Sequence, residues 1–483
     1  MTRIKNLAIT LLAMMVVFAA TSARAQFSVL YSFGVTSGTD AAFPIGALAQ
    51  GEDGSLYSTS QIGGANNKGA AYKITTLGKE RLLYSFCSLT NCADGNEPLG
   101  GLTLRPNGHL IGTAAWTGPF TTLYPGTIFD ISQTGSFTLL YSFTAGTDGV
   151  APSAAPILGP KGGFYGVAWG GGGKTNCGTI YQLTTVFTVI HTFDKVHGCN
   201  GVLHTSPTLS NALVLGTDGS FYGSTTSGGT GNYGVVFRLT YRPGKATVFT
   251  VLANFDSTTG PPIGALVEGS DGNFYGVTAG VGTSTKVWGS VFKVTPSGVV
   301  TILHTLNGTT DGELPLAGLT LATDGNFYGT TASTLFQVTP AGGFSVLHTF
   351  GGTDGLQPSN IVQHTNGLLY GVTIYGGAHE GINYDCIDEF NTGCGVVYSW
   401  NGNLPPFVST VQLMGAVGSS VEILGQGFTS ATTVSFNGVP ASATVQSGTS
   451  LWATVPSGAT TGFITVATTS GTLTSNRQFV VVP

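Results

Sequence analysis

The chain has 483 residues, enough for about three domains of roughly 100 to 200 residues, or for one long repeat array with an appendage. Lys, Arg, Asp and Glu make up only 8% of it, whereas its 74 glycines are about twice the usual share and its apolar fraction of 41% is that of a folded chain. This composition excludes disorder, collagen and a polyanion-binding surface, which needs clustered Lys and Arg.

Arg3 and Lys5 precede an apolar run from Leu7 to Ala20, and Ala23-Arg24-Ala25 follows it. A charged start, an apolar centre and a small-residue site form an export leader, with cleavage predicted between Ala25 and Gln26. The apolar run is too short for a stable membrane-spanning helix, which needs about 20 residues. Loss of the leader removes Arg3, Lys5 and Arg24 and no acid, so 14 basic residues face 22 acidic ones and the net charge is -8. The mature chain is therefore expected outside the cytoplasm, secreted or at the cell surface, with the periplasm as the other destination. No transmembrane segment and no nucleic-acid partner are expected in it.

From residue 27 the sequence repeats. EDGSLYS (Glu52 to Ser58), PNGHLIG (Pro106 to Gly112), KGGFYGV (Lys161 to Val167), TDGSFYG (Thr217 to Gly223), SDGNFYG (Ser270 to Gly276), TDGNFYG (Thr323 to Gly329) and TNGLLYG (Thr365 to Gly371) align. Their first glycines lie 54, 54, 57, 53, 53 and 42 residues apart. Each is followed by an alternating apolar string, from GAAYKIT (Gly69 to Thr75) to GCGVVYSW (Gly393 to Trp400), which is strand periodicity. A third string, such as LLYSF (Leu82 to Phe86) or VLHTF (Val346 to Phe350), also occurs seven times, but its first copy, VLYSF (Val29 to Phe33), precedes the first full repeat. With a weaker strand before each Asp-Gly turn, every repeat has four strands in roughly 54 residues, the pattern of a β-propeller blade. The displaced first copy predicts that the N-terminal strand completes the last blade and closes a seven-bladed ring, removing its open edges. The sixth repeat is about ten residues short between Gly329 and Leu335.

The Asp-Gly pairs at Asp53, Asp218, Asp271 and Asp324 suit hairpin turns better than calcium loops. Tyr165, Tyr222, Tyr275, Tyr328 and Tyr370 recur at one position and are expected to pack or to hydrogen-bond between blades. His191, His304 and His348 share the slot of Tyr31, Tyr84 and Tyr141, which favours a structural ring with a polar tip. The long connections are expected on the face opposite the Asp-Gly turns. All six cysteines belong there, and local pairing gives Cys87 with Cys92, Cys177 with Cys199 and Cys386 with Cys394, one of 15 connectivities.

Two acidic sets on that face are the candidate binding residues. Asp40, Asp94, Asp148, Asp311 and Asp354 recur in the fourth-to-first loop and either ring the axial mouth or cap their loops as Asx turns. His379, Glu380, Asp385, Asp388 and Glu389 gather in the longest insertion, Gly376 to Gly395, around Cys386 and Cys394. They are either a sugar or metal site or a solvated, disulfide-pinned loop. No nucleophile elbow, zinc-protease motif, phosphate loop or dinucleotide fingerprint is present, so no catalytic residue, metal or cofactor is assigned.

The repeat stops near Leu404, and PPFV (Pro405 to Val408) reads as a stiff linker. VEILGQGF, TTVSFNGVPA, LWATVPSGATTGFITVAT and RQFVVV then follow as short strands of a small β-sandwich. The domains predicted are residues 1–25 as leader, 26–403 as propeller and 404–483 as sandwich.

The repeated G-T-D-G, D-G-x-F-Y-G, G-G-x4-G-x-V-F and L-x-x-F elements resemble the bacterial GloVer tandem repeat of the Gloeobacter and Verrucomicrobia type over nearly all of residues 27 to 400. The resemblance implies an exported architecture and no particular reaction. The C-terminal segment is similar to the IPT/TIG immunoglobulin-like domain in its G-x-x-V-x-I-x-G-x-x-F, F-N-G-x-x-A and V-P-x-G-A-x-x-G elements, which implies a spacer or interaction module. The leading expectation is an exported, non-enzymatic binding or adhesion protein for an extracellular glycan or protein. Its alternative is a secreted carbohydrate-active hydrolase or lyase using paired acids of the loop face. A third reading is a structural surface-layer component.

Overall fold

The computed structural model describes residues 26–34, 40–118, 125–197, 212–281, 288–378 and 393–482. The chain is all-β: no α-helix occurs among the described residues, and none is long and apolar enough to cross a membrane. Residues 26–401 form seven antiparallel sheets, six with four strands and the first with five segments. Within each, the chain meanders from an inner strand outwards. In the second sheet, Leu102–Leu104, Leu110–Ala114, Thr127–Ile131 and Phe137–Ser142 pair in that order.

The seventh sheet departs from this pattern in one way. Leu356–Gln363, Leu369–Tyr375 and Val396–Asn401 come from the end of the repeats, and Gln26–Ser32 from the beginning is their outermost strand. Phe27 pairs with Trp400, Val29 with Tyr398 and Ser32 with Val396. The displaced string thus takes the place that Phe137–Ser142 takes in the second sheet. A one-residue bulge falls at the same point of every third-to-fourth pairing, for instance between Val29 and Tyr31, Leu139 and Tyr141, and Val236 and Phe237. A bulge bends the strand and re-aims its side chains. Here it brings Tyr31, Tyr84, Tyr141, His191, His304 and His348 over the next sheet.

Neighbouring sheets meet through small residues and stacked rings. Gly101 bridges to Ala47, Ala155 N–H donates to the Gly100 carbonyl, and a Cβ at Gly264 would strike the backbone of Gly318. Asn360 of the last inner strand donates to the Ile45 carbonyl of the first, 3.2 Å away. Farther out, Tyr84 stacks on Phe137 at 4.2 Å, Tyr141 on Phe187 at 3.9 Å, His191 on Phe249 at 4.1 Å and His304 on Phe344 at 3.9 Å. His348 stacks on Phe27 at 3.8 Å, so the N-terminal strand also supplies the ring that this contact needs. A planar ring with a polar tip is what the slot requires, which explains why it accepts both Tyr and His.

Residues 407–482 form two further four-stranded sheets and a parallel pair, Met414–Ala416 with Val480–Val482. Their own core gathers Val421, Ile423, Phe436, Leu451, Ile464, Val466 and Phe479, all nearly inaccessible.

Candidate functional site

The Asp-Gly turns all lie at one end of the sheets. Asp53, Asp218, Asp271 and Asp324 each accept the backbone N–H two residues on, at 2.8 to 3.1 Å, and the hydroxyl of the tyrosine four residues on, at 2.8 to 3.0 Å. Lys73 adds an ion pair to Asp53 at 2.9 Å. These carboxylates are turn caps that also hold the second strand's tyrosine. Tyr165 has no such acid, and its hydroxyl accepts from Gln182 instead. The contacts run mainly within one sheet, although Tyr57 reaches Gln133 of the second sheet at 3.1 Å.

Residues 407–482 lie over this turn face. Leu424 joins the cluster of Tyr57, Leu102, Leu110 and Phe129, while Leu413 and Met414 pack on that of Tyr165, Leu215 and Phe221. Phe407 N–H donates to the Thr365 carbonyl at 3.1 Å, and Thr449 Oγ1 donates to the Glu52 carbonyl. Arg477 is ion-paired with Glu268 at 3.1 Å, and burial lowers its pKa. Spaces of about 260, 300 and 340 Å³ remain along this seam.

The opposite face carries the fourth-to-first loops, and their aspartates share one arrangement. Tyr31 donates to Asp40 at 3.0 Å, Tyr84 to Asp94 at 2.8 Å and Tyr141 to Asp148 at 3.0 Å. His304 meets Asp311 at 2.8 Å and His348 meets Asp354 at 2.7 Å. Loop amides complete each set: Gly34 N–H on Asp40, Ser88 and Leu89 N–H on Asp94, Thr144 and Gly146 N–H on Asp148, and Gly351 N–H on Asp354. Asp311 takes the Asn307 amide at 2.7 Å. Burial and the carboxylate together raise the hydroxyl pKa of Tyr141 to about 12, while hydrogen bonds from Thr144 and Tyr141 hold Asp148 low against its burial. Each of the five acids therefore braces its own loop against the bulged outer strand. Two repeats differ: no described residue hydrogen-bonds the buried His191 Nε2, and Ala253 stands where the others have Tyr or His.

Three residues after each of these aspartates stands a non-glycine residue in the left-handed region, namely Phe43, Glu97, Ala151, Leu314 and Gln357, with φ between 49° and 54°. Proline follows every one. Phe43 N–H donates to the Cys394 carbonyl, Glu97 to Lys68, Ala151 to Pro125 and Leu314 to Trp288, each time across to the preceding sheet. The proline then lies on that sheet's glycine, as Pro98 does on Gly69 and Pro44 on Gly395, where a Cβ would collide. The spacing Asp-x-x-x-Pro was visible in the sequence and marks this joint. The same face shows half-buried Trp116, Trp169, Trp288 and Tyr375, the last in edge contact with Phe43 at 5.0 Å. Sequence reasoning had not singled these rings out.

Cys87 and Cys92 form a disulfide in the loop that Asp94 braces, and Cys177 and Cys394 are also disulfide-bonded. Their expected partners Cys199 and Cys386 lie outside the described residues, as do His379, Glu380, Asp385, Asp388 and Glu389. Among the described residues, no three His, Cys, Asp or Glu side chains gather as a metal site.

A family model described as the Gloeobacter/Verrucomicrobia repeat matches residues 14–208, 98–334 and 203–384 in overlapping stretches. Among solved structures, a streptogramin B lyase is 16% identical, covering 78% of this chain and 97% of its own, with a TM-score of 0.48. The virginiamycin B lyase from Staphylococcus aureus is 13% identical over 78% of this chain and 98% of its own, with a TM-score of 0.49. A gluconolactonase from Xanthomonas campestris is 12% identical over 79% and 92%, with a TM-score of 0.38. No protein with a curated description matches the chain.

Proposed function

The chain belongs to the Gloeobacter/Verrucomicrobia repeat family, and from that premise we propose that it is an exported, non-enzymatic binding protein for an extracellular glycan or protein. In this reading the seven sheets are the blades of a closed β-propeller over residues 26–403. Residues 404–483 are an immunoglobulin-like module of the IPT/TIG type, and cleavage after Ala25 releases the mature chain. The ligand meets the face of the long loops. The contacts proposed there are the half-buried rings together with the acidic insertion His379, Glu380, Asp385, Asp388 and Glu389.

The observation that carries this reading is the asymmetry of the two ends. One end is covered by residues 407–482, whereas the other presents loops that differ in sequence, five of them held by the same aspartate brace. Rigid loops lose little conformational entropy on binding. A hydrolase or lyase working with paired acids of the loop face has less support. Glycoside cleavage needs two carboxyl groups about 5 to 9.5 Å apart, one of them ready to exchange a proton, and Asp40, Asp94, Asp148, Asp311 and Asp354 each accept several donors from their own loops.

The test is a screen of the purified mature chain on glycan and cell-surface protein arrays, with Asp311→Asn and Asp354→Asn beside the wild type. Retention of a ligand by all three supports the proposal. Turnover of a glycan that Asp311→Asn abolishes would overturn it.

A further inference from the structure

Two carboxyl groups face each other where residues 407–482 meet the first sheet. Glu422 lies on Ser420–Leu424 and is 0% exposed. Its Oε1 accepts the Ser450 hydroxyl at 3.3 Å, but no N–H or O–H of the described residues reaches Oε2. The group within hydrogen-bonding reach is the carboxyl of Glu52, on the first Asp-Gly turn. Glu52 is itself fixed, because Gln133 donates to its Oε2 at 3.4 Å and Ser447 and Thr449 donate to its backbone carbonyl. An ionised Glu422 would be a buried charge beside a second carboxyl, and a proton on it removes the repulsion and supplies the missing donor.

We propose that Glu422, protonated beside the carboxyl of Glu52, is an acid-held latch that fastens residues 407–482 over the Asp-Gly face and loosens as the pH rises. The other ionisable groups on the elements packed there are already engaged. Asp53 is paired with Lys73, Asp130 of the second sheet with Arg105 and His109, Glu268 with Arg477, and His364 Nε2 with the Gly54 carbonyl at 3.0 Å. Glu52 is the charge that acts on Glu422. Burial first, then the hydrogen bond and charge of Glu52, raises the Glu422 carboxyl from 4.5 to about 9. Because the docked value is the higher one, the proton's contribution to docking is complete below about 4.5 and is lost as the pH rises through about 9. Between these limits each pH unit lowers the docking constant by up to about tenfold. Release would uncover the apolar seam beneath Leu413, Met414 and Leu424, so the latch controls access to a second surface as well as the position of the module.

The experiment is hydrogen exchange of the intact mature chain from pH 5 to pH 10, corrected for intrinsic rates, read at the amides of residues 51–55 and 447–450, with small-angle scattering in parallel. The wild type should lose protection there and expand as the pH rises from 7 to 10, while amides in the second and third strands of the sheets stay protected. Glu422→Gln should remain docked and lose the pH dependence. Glu52→Gln, which offers Glu422 a donor in place of a charge, should flatten it as well, and it serves if the first variant fails to fold. Equal protection at pH 5 and 10 in the wild type would overturn the latch, as would an unchanged pH dependence in both variants. Loosening at pH 6 on dialysis against a chelator would assign the site to a divalent cation instead.

Discussion

Replacement of Phe33 by Ala probes the closure of the seven sheets by the N-terminal strand. Phe33 is 1% exposed, packs in the cluster of Leu48, Tyr72 and Val372, and meets the rings of Tyr31 and Tyr72 at 5.1 Å. Its N–H donates to the Gly395 carbonyl, the same bond that Phe86 makes to Gly69 and Phe143 to Gly126. Truncation of a fully buried phenylalanine costs about 3 to 5 kcal/mol. A cooperative unit of roughly 400 residues has an unfolding entropy of about 0.8 kcal/mol/K, so the melting temperature should fall by about 4 to 6 °C. Val29→Ala, on the same strand but 39% exposed, should cost less than about 1 kcal/mol and move it by about 1 °C. Scanning calorimetry of residues 26–483 measures both. If Phe33→Ala melts no lower than Val29→Ala, the N-terminal strand is not part of the cooperative unit and the closure reasoned from the displaced string is wrong.

Gly69→Ala should lower stability severely, because a Cβ there meets Pro98 and the Ser60 carbonyl at a φ of +96°. Gly219→Ala, with nothing within 4 Å of its Cβ, should cost only the left-handed penalty of about 1 kcal/mol. Asp218→Ala should cost about 1 to 2 kcal/mol in chemical denaturation by releasing Ser220 N–H and the Tyr222 hydroxyl, and Asp218→Asn should recover most of it; equal losses in the two would contradict the turn-cap role. His191 is pushed down to about 4 by burial, and among the described residues nothing hydrogen-bonds its Nε2. The stability tied to its neutral form is present above about 6.5 and lost as the pH falls through about 4. His191→Phe should therefore gain about 1 kcal/mol at neutral pH and flatten that acid limb, and an unchanged acid limb would show that another group titrates there.

The sheets were legible because each repeat states its strands in local alternation and, in six of the seven, its turn in Asp-Gly or Asn-Gly. The pairing of Gln26–Ser32 with Val396–Asn401 was legible from one string being early by a repeat. The shared Tyr and His slot was also readable, and the structure gives its cause in the stack on one side and the aspartate on the other. What covers the Asp-Gly face was not readable, since Leu413, Met414 and Leu424 look like ordinary strand residues until two distant segments meet. Nor was the backbone at Phe43, Glu97, Ala151, Leu314 and Gln357, because a residue before proline is expected to be extended. At the first four, the inter-sheet amide bond and the proline against a glycine override that preference. The five loop aspartates were singled out from recurrence alone. Their hydrogen-bond partners lie six to ten residues away across a bulge, a separation that no helical or strand period reports.

In the proposed function, ligand is taken on the braced loop face and not on the face beneath residues 407–482. Hydrogen exchange of residues 26–483, with and without a ligand identified by the array screen, tests this directly. Protection should rise at residues 86–97, 143–151 and 169–178 and stay unchanged at 51–55 and 268–272. Protection confined to the Asp-Gly turns would contradict the account.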